Sequence, residues 1–381
     1  MPAYNRFRHQ AYVRTPPTSP YRLLRPPPQP PQGSAEYLSR FRRVGRQLRE
    51  ADVAGMYLVH GTFVGGDALG IVAEIARFLP GLDGPLSEMG RLVVENLFGS
   101  VGNYTSTHVQ LLVEGLGQPP EALPVRIFSW SSQNDHIGRA DGAVRLIDEI
   151  SRLKIPGDRR LLLWGHSHAG NVFALVTNLL AADKGLRREF FRAARSYYRW
   201  PTGCVDIPVW ERVRRLLNRR EVESWCPQLD LVTFGTPIRY GWDSGGYSRL
   251  LNFINHRPAA GLPDYLAPFP PTPEHVLDAY DGDYVQQFGI AGTNLPPGWI
   301  AWRTFNADRR LGKLLEADVT PNSPLARLQV GARVPDEGTT LLVDYGSPGV
   351  PLPQHHAGHA VYTRPDWLLF HAEETAREFY S

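Results

Sequence analysis

Cysteine is nearly absent: the 381-residue chain has two, Cys204 and Cys226. Two cysteines build neither a disulfide framework nor a metal set, and two free thiols are expected over one bridge closing that loop. Net charge is small as well. The 41 basic side chains face 38 acidic ones, so no global imbalance calls for nucleic acid or an anionic membrane as partner. No stretch approaches the roughly 18 uninterrupted apolar residues of a membrane span, and the N-terminus has no apolar core of a secretion signal. The expectation is a soluble, cytoplasmic protein. Acidic residues are missing from positions 1–35, which hold Arg6, Arg8, Arg14, Arg22 and Arg25. Within that stretch "RPPPQPPQG" cannot form a helix, which excludes an amphipathic transit peptide. Residues 1–34 are expected to form a disordered, polyproline-prone tail, with a ligand for SH3-type domains as the functional alternative.

What is there is apolar and alternating. Hydrophobic residues make up 42% of the chain, enough for one large core. The helical pattern "AEYLSRFRRVGRQLREA" precedes the strand "GMYLVHGTFVGG". Then come strand "PVRIFSW", helix "ADGAVRLIDEISRL" and the stretch "LLLWGHSHAGNVFALVTNLL". Strands "LDLVTFGTP", "RLLNFINH", "YVQQFGIAGTN" and "TTLLVDYG" follow, with helix "ADRRLGKLLE" between the last two and "PDWLLFHAEETAREFY" closing the chain. Strands apolar on both faces, alternating with helices, predict an α/β fold: a mainly parallel central sheet with helices on both faces. One domain is expected over residues 35–381, with helical cap insertions at about 68–120 and 184–228. In the second cap, Phe190, Phe191, Tyr197, Tyr198 and Trp200 are offered as an acyl pocket or as ordinary core. In such sheets ligands gather at the C-terminal strand ends, where "HGT", Ser167, "GTP", "GTN" and "VDYG" all fall.

The stretch at 161–180 leaves a buried strand at Trp164 and resumes as an apolar helix near Asn171. About five residues make the reversal, which strains the backbone at Ser167 and pushes its hydroxyl out above a helix N-terminus, a nucleophile elbow. Gly165, Ala169 and Gly170 are small enough to let strand and helix approach. A serine hydroxyl needs an imidazole to take its proton, an acid to orient that imidazole, and two N–H donors for the oxyanion. His168, after the serine, supplies one donor; Thr62 or Phe63, in the Gly-rich loop after an earlier strand, supplies the other. His60 and Gly61 shape that loop. Arg139, in "NDHIGR", is a candidate to meet a carboxylate or phosphate, or to form a structural ion pair.

The order "HGT", "GHSHAG" and a late "GHAVYT" resembles the α/β-hydrolase superfamily, with lipases and esterases nearest, over about residues 50–381. "LVTFGTPIRYGW" is similar to the strand after the elbow helix in many lipases, and Ala169 replaces the second glycine of G-x-S-x-G. The resemblance implies Ser167 as nucleophile, His359 as general base and an ester or lipid-like small-molecule substrate, with no metal or cofactor. His256, His275, His355 and His356 are the other histidines in reach of the base position, and "HHAGH" has no Cys or paired carboxylates to complete a metal set. The acid of this fold follows the strand before the base strand, read here as "YVQQFGIAGTN". Asn294 and Leu295 stand there instead of a carboxylate. Asp344, which closes "TTLLVD", is placed first, Asp308 second and Asp243 behind them. A thioester, amide or acyl-transfer reaction on the same fold is the alternative, as is a non-catalytic interaction module.

Overall fold

Residues 7–8, 16–61, 103–117, 123–199, 207–218, 226–289, 294, 302–316, 328 and 330–381 are described by the computed structural model. Among them, seven strands form one sheet: β1 Tyr21–Leu24, β2 Val53–Val59, β3 Val125–Phe128, β4 Arg160–His166, β5 Gln228–Phe234, β6 Arg249–Asn255 and β7 Thr339–Val343. Their order is β1-β7-β6-β5-β4-β2-β3, and each neighbouring pair is parallel. The helices are α1 Ala35–Glu50, α2 Ser106–Leu116, α3 His136–Arg152, α4 Ala169–Ala181, α5 Lys184–Ala193, α6 Pro208–Asn218, α7 Tyr284–Gly289, α8 Trp302–Leu315 and α9 Leu368–Tyr380, besides shorter turns.

Successive strand residues point to opposite faces, and each face carries its own helical layer. Leu161 and Leu163 of β4 join Leu229 and Leu231 in a core closed by α3, α4, α5, α6 and α8. Leu162 and Trp164 join Met56, Leu58, Phe234 and Phe253 under α1, α2 and α9. The strand order reverses between β2 and β4: from β4 the chain builds outward through β5, β6 and β7, while β2 carries β3 on its other side. Such a reversal opens a crevice at the C-terminal strand ends, here between Val59 and His166.

Three sequence expectations are corrected. The stretch 1–34 is not simply a tail, because β1 pairs with β7 from Tyr21↔Thr340 to Leu24↔Val343. Phe7 is also buried, its ring 5.8 Å from that of Phe190. Pro20 and Pro26 bracket five residues, of which four form an edge strand, whose outer side needs no partner. Second, "YVQQFG" is helix α7, capped where the Asp283 carboxylate accepts from Gln286 N at 2.8 Å. Third, the described parts of both proposed caps belong to the helical layers. α2 packs on α1, with Leu112 and Leu116 buried. Phe190 and Tyr198 stack on Trp210 of α6, which is fully buried. The aromatics offered as an acyl pocket are core, save the intermediate Tyr197 and Trp200, which lies outside the described residues. Cys226 is a free thiol, pushed up to about 12 by burial; Cys204 lies outside the described residues.

Candidate functional site

β4 ends at His166 and α4 begins at Ala169, so Ser167 and His168 make the whole reversal. Ser167 sits at φ 55°, the left-handed region that costs an L-residue about 1–2 kcal/mol. The surroundings hold it there. Its N–H donates to Phe234 O at 2.8 Å, and its carbonyl accepts from Thr236 Oγ1 at 2.9 Å and Gly170 N at 3.1 Å. A Cβ on Gly170 would lie 2.1 Å from Thr236 Oγ1, and one on Gly165 2.5 Å from Phe173. Only glycine lets β4, α4 and the β5 end converge so closely. Gly61, after β2, approaches from the other side: a Cβ there would stand 2.5 Å from Ser167 Cβ. Ser167 is fully buried, and among the described residues its Oγ has no hydrogen-bond partner.

His359 follows β7 and lies beside this turn. Its ring centroid is 4.6 Å from that of His166, and its carbonyl is 3.3 Å from His166 Nε2. His168 is held well below the ordinary histidine range by burial, then by Arg139 and Arg239, and also by His359. Asn171 Nδ2 donates to His168 Nδ1 at 3.0 Å, which fixes that ring as an acceptor at Nδ1. Of the two neighbours of Ser167 in sequence, His166 packs on His359 and His168 senses its charge.

The carboxylate on His359 is Asp283, which the sequence reading did not weigh. His359 Nδ1 and Asp283 Oδ2 are 2.7 Å apart, both side chains fully buried. Tyr362 Oη donates to the same oxygen at 2.9 Å while accepting from Asn255 N at 2.7 Å. Arg333, buried, donates to the Asp283 carbonyl at 2.6 Å. Gly235, at φ 58°, makes the approach possible, because a Cβ there would lie 2.6 Å from Asp283 Oδ2 and 2.3 Å from the Tyr362 ring.

Neither carboxylate placed first from the sequence meets this histidine. Asp344 Oδ1 accepts from Arg257 Nε and Nη2 at 3.2 Å and from Gly346 N. Asp308 Oδ1 accepts from Ile137 N at 3.1 Å, and its Oδ2 from Asn294 Nδ2 at 3.3 Å, tying α8 to the start of α3. Asp243 bonds Gly245 N in its own turn. The signal for Asp283 was in the sequence. It follows β6, the strand before β7, but "YVQQFGIAGTN" read as a strand moved the search past it.

The remaining candidates divide as follows. Thr62 and Phe63 lie outside the described residues, so one proposed oxyanion donor has no described position; His168 stands at the start of α4. His60 shapes its loop. Trp130 N donates to its Nε2 at 3.4 Å, which leaves Nδ1 as the donor to Gly61 O at 3.0 Å. His256, His275 and His355 bond Asp264 O, Asp281 and Gly358 N respectively. Arg139 is fully buried and donates to Tyr240 Oη, Asn134 Oδ1 and Asn294 Oδ1. Among the described residues, no group of three or more His, Cys, Asp or Glu side chains could hold a metal ion, and no helix is long and apolar enough to cross a membrane. No family model, curated protein or solved structure matches the chain.

Proposed function

We propose that the chain is a serine hydrolase of the α/β-hydrolase type acting on carboxylic esters, with Ser167 as nucleophile, His359 as general base and Asp283 as the acid that orients it. The observation that carries this reading is the fully buried 2.7 Å contact of His359 Nδ1 with Asp283 Oδ2, set beside a serine in a left-handed turn. A neutral imidazole that donates from Nδ1 presents a lone pair at Nε2. That lone pair takes the Ser167 hydroxyl proton as Oγ bonds to the ester carbonyl carbon. The His168 N–H, at the positive end of α4, stabilises the oxyanion. Collapse expels the alcohol, which receives the proton from His359 and leaves an acyl group on Ser167. Water then repeats the sequence and releases the acid. The parallel sheet with its crevice between β2 and β4 supports the α/β-hydrolase assignment, since Gly61 and Ser167 meet there.

The test is labelling with a fluorophosphonate, beside Ser167→Ala, followed by turnover of p-nitrophenyl esters from acetate to palmitate. Labelling that vanishes in the variant, with ester turnover by the parent, is the expected result. A folded parent that neither labels nor turns over any ester would remove the catalytic reading and favour the interaction module.

A further inference from the structure

α5 and the turn after it carry cations in a row. Lys184, Arg188 and Arg192 follow at i, i+4 and i+8 of one helix, so they share a face and repel one another. With Arg195 and Arg199, and with Arg214 of α6, they line a cleft of about 480 Å³ bordered by Phe191 and Tyr198. Among the described residues, one carboxylate stands with these six cations, Glu211. It is already held by Arg214 at 2.8 Å and Arg199 at 3.7 Å. Lys184, Arg188, Arg192 and Arg195 are exposed, and no carboxylate of the described residues lies within 4.0 Å of them. Arg187, on the same helix, shows the contrast. It is buried and donates to the carbonyls of Leu179, Leu180 and Leu217, closing the C-terminal end of α4.

We propose that this cleft binds a compact ligand bearing two or more phosphate groups. Guanidinium forks match phosphate oxygens in pairs, and an excess of cations in a concave wall concentrates the field on an anion. One phosphate would leave most of that excess unmatched, whereas neighbouring phosphates span the row on α5. The volume falls within the roughly 300–1,000 Å³ of small-ligand sites. The cleft is separate from Ser167, because α4 runs between them and its 13 residues span about 20 Å.

The test is calorimetric titration of the full chain with sodium tripolyphosphate, beside flotation with phosphatidylcholine vesicles made with and without phosphatidylinositol bisphosphate. Two double variants, each with circular dichroism as a folding check, are compared: Arg188→Glu with Arg192→Glu, and Arg42→Glu with Arg46→Glu on the exposed side of α1. The expected result is one tripolyphosphate per chain, weakened at least about tenfold by the first pair and unchanged by the second. Flotation only with the bisphosphate lipid would make the ligand a headgroup; flotation with neither vesicle would make it a soluble polyphosphate. Absence of binding to both probes by the parent, or equal weakening by both pairs, would overturn the proposal.

Discussion

Asp283 gathers three donors on one carboxylate: His359 Nδ1 and Tyr362 Oη on Oδ2, and Gln286 N on Oδ1. Asp344 meets Arg257 and Asp308 meets backbone N–H of α3, so the three acids separate cleanly by substitution. Asp283→Asn should lower kcat by about ten-thousand-fold, the scale of losing the carboxylate that sets a catalytic histidine's tautomer. Asp344→Asn should leave kcat within about twofold and weaken partly exposed ion pairs with Arg257 and Arg25, interactions usually worth about 0–1 kcal/mol each. Ester turnover by the two purified variants decides between them, and equal losses would contradict the assignment. At this scale the strained turn at Ser167 and the place of His359 after the last strand were legible, because both are local features. Asp283 was not. It sits 76 residues from its histidine, in "DAYDGDY", where Asp278, Asp281 and Asp283 offer the same turn and cap chemistry.

Among the elements, long periodic or continuous apolar runs were legible: β4, β5, β6 and β7 fall where apolar runs are bounded by turn residues, and α1, α3 and α9 where the helical period holds. α7 failed because six residues are too few for periodicity to discriminate. What makes it a helix is tertiary: the Asp283 cap, and buried Gln286 and Gln287 accepting from Arg333. β1 failed for the related reason that its pairing lies with β7, far along the chain. Close helix contact was equally unreadable. α1 crosses α2 where a Cβ on Gly45 would stand 1.9 Å from Leu116 O and one on Gly115 2.6 Å from the Phe41 ring. Gly45→Ala should therefore cost about 1–3 kcal/mol through overpacking, read as a lower Tm, while fluorophosphonate labelling per folded molecule stays at the parent level. An unchanged Tm would show that the two helices part freely.

Among the described residues, every histidine but His275 is buried. Burial holds His256 and His371 down to about 3, with His60, His108, His136 and His355 shifted in the same direction, again by burial first. In the unfolded chain these rings titrate near 6.5. Between about pH 6.5 and pH 3 the unfolded state therefore binds more protons, and stability falls as pH falls. Asp230 and Glu374, raised by burial, act with the opposite sign and offset part of the loss. Urea midpoints should drop steadily from about pH 7 to pH 4. A flat profile would mean that the carboxylates balance the histidines.

The pairing of Tyr21 with Thr340 also has a history in time. The two residues lie 340 − 21 = 319 positions apart. At roughly 5–20 residues per second of synthesis, β1 leaves the ribosome about 15–60 s before its partner strand exists. For that interval the sheet can assemble from β2 through β6 while its last edge stays open. The Tyr21–Leu24 segment waits between Pro20 and the prolines from Pro26 onward, residues with no N–H to offer another nascent strand. Among the described strands, the earliest made is thus the last to join the sheet.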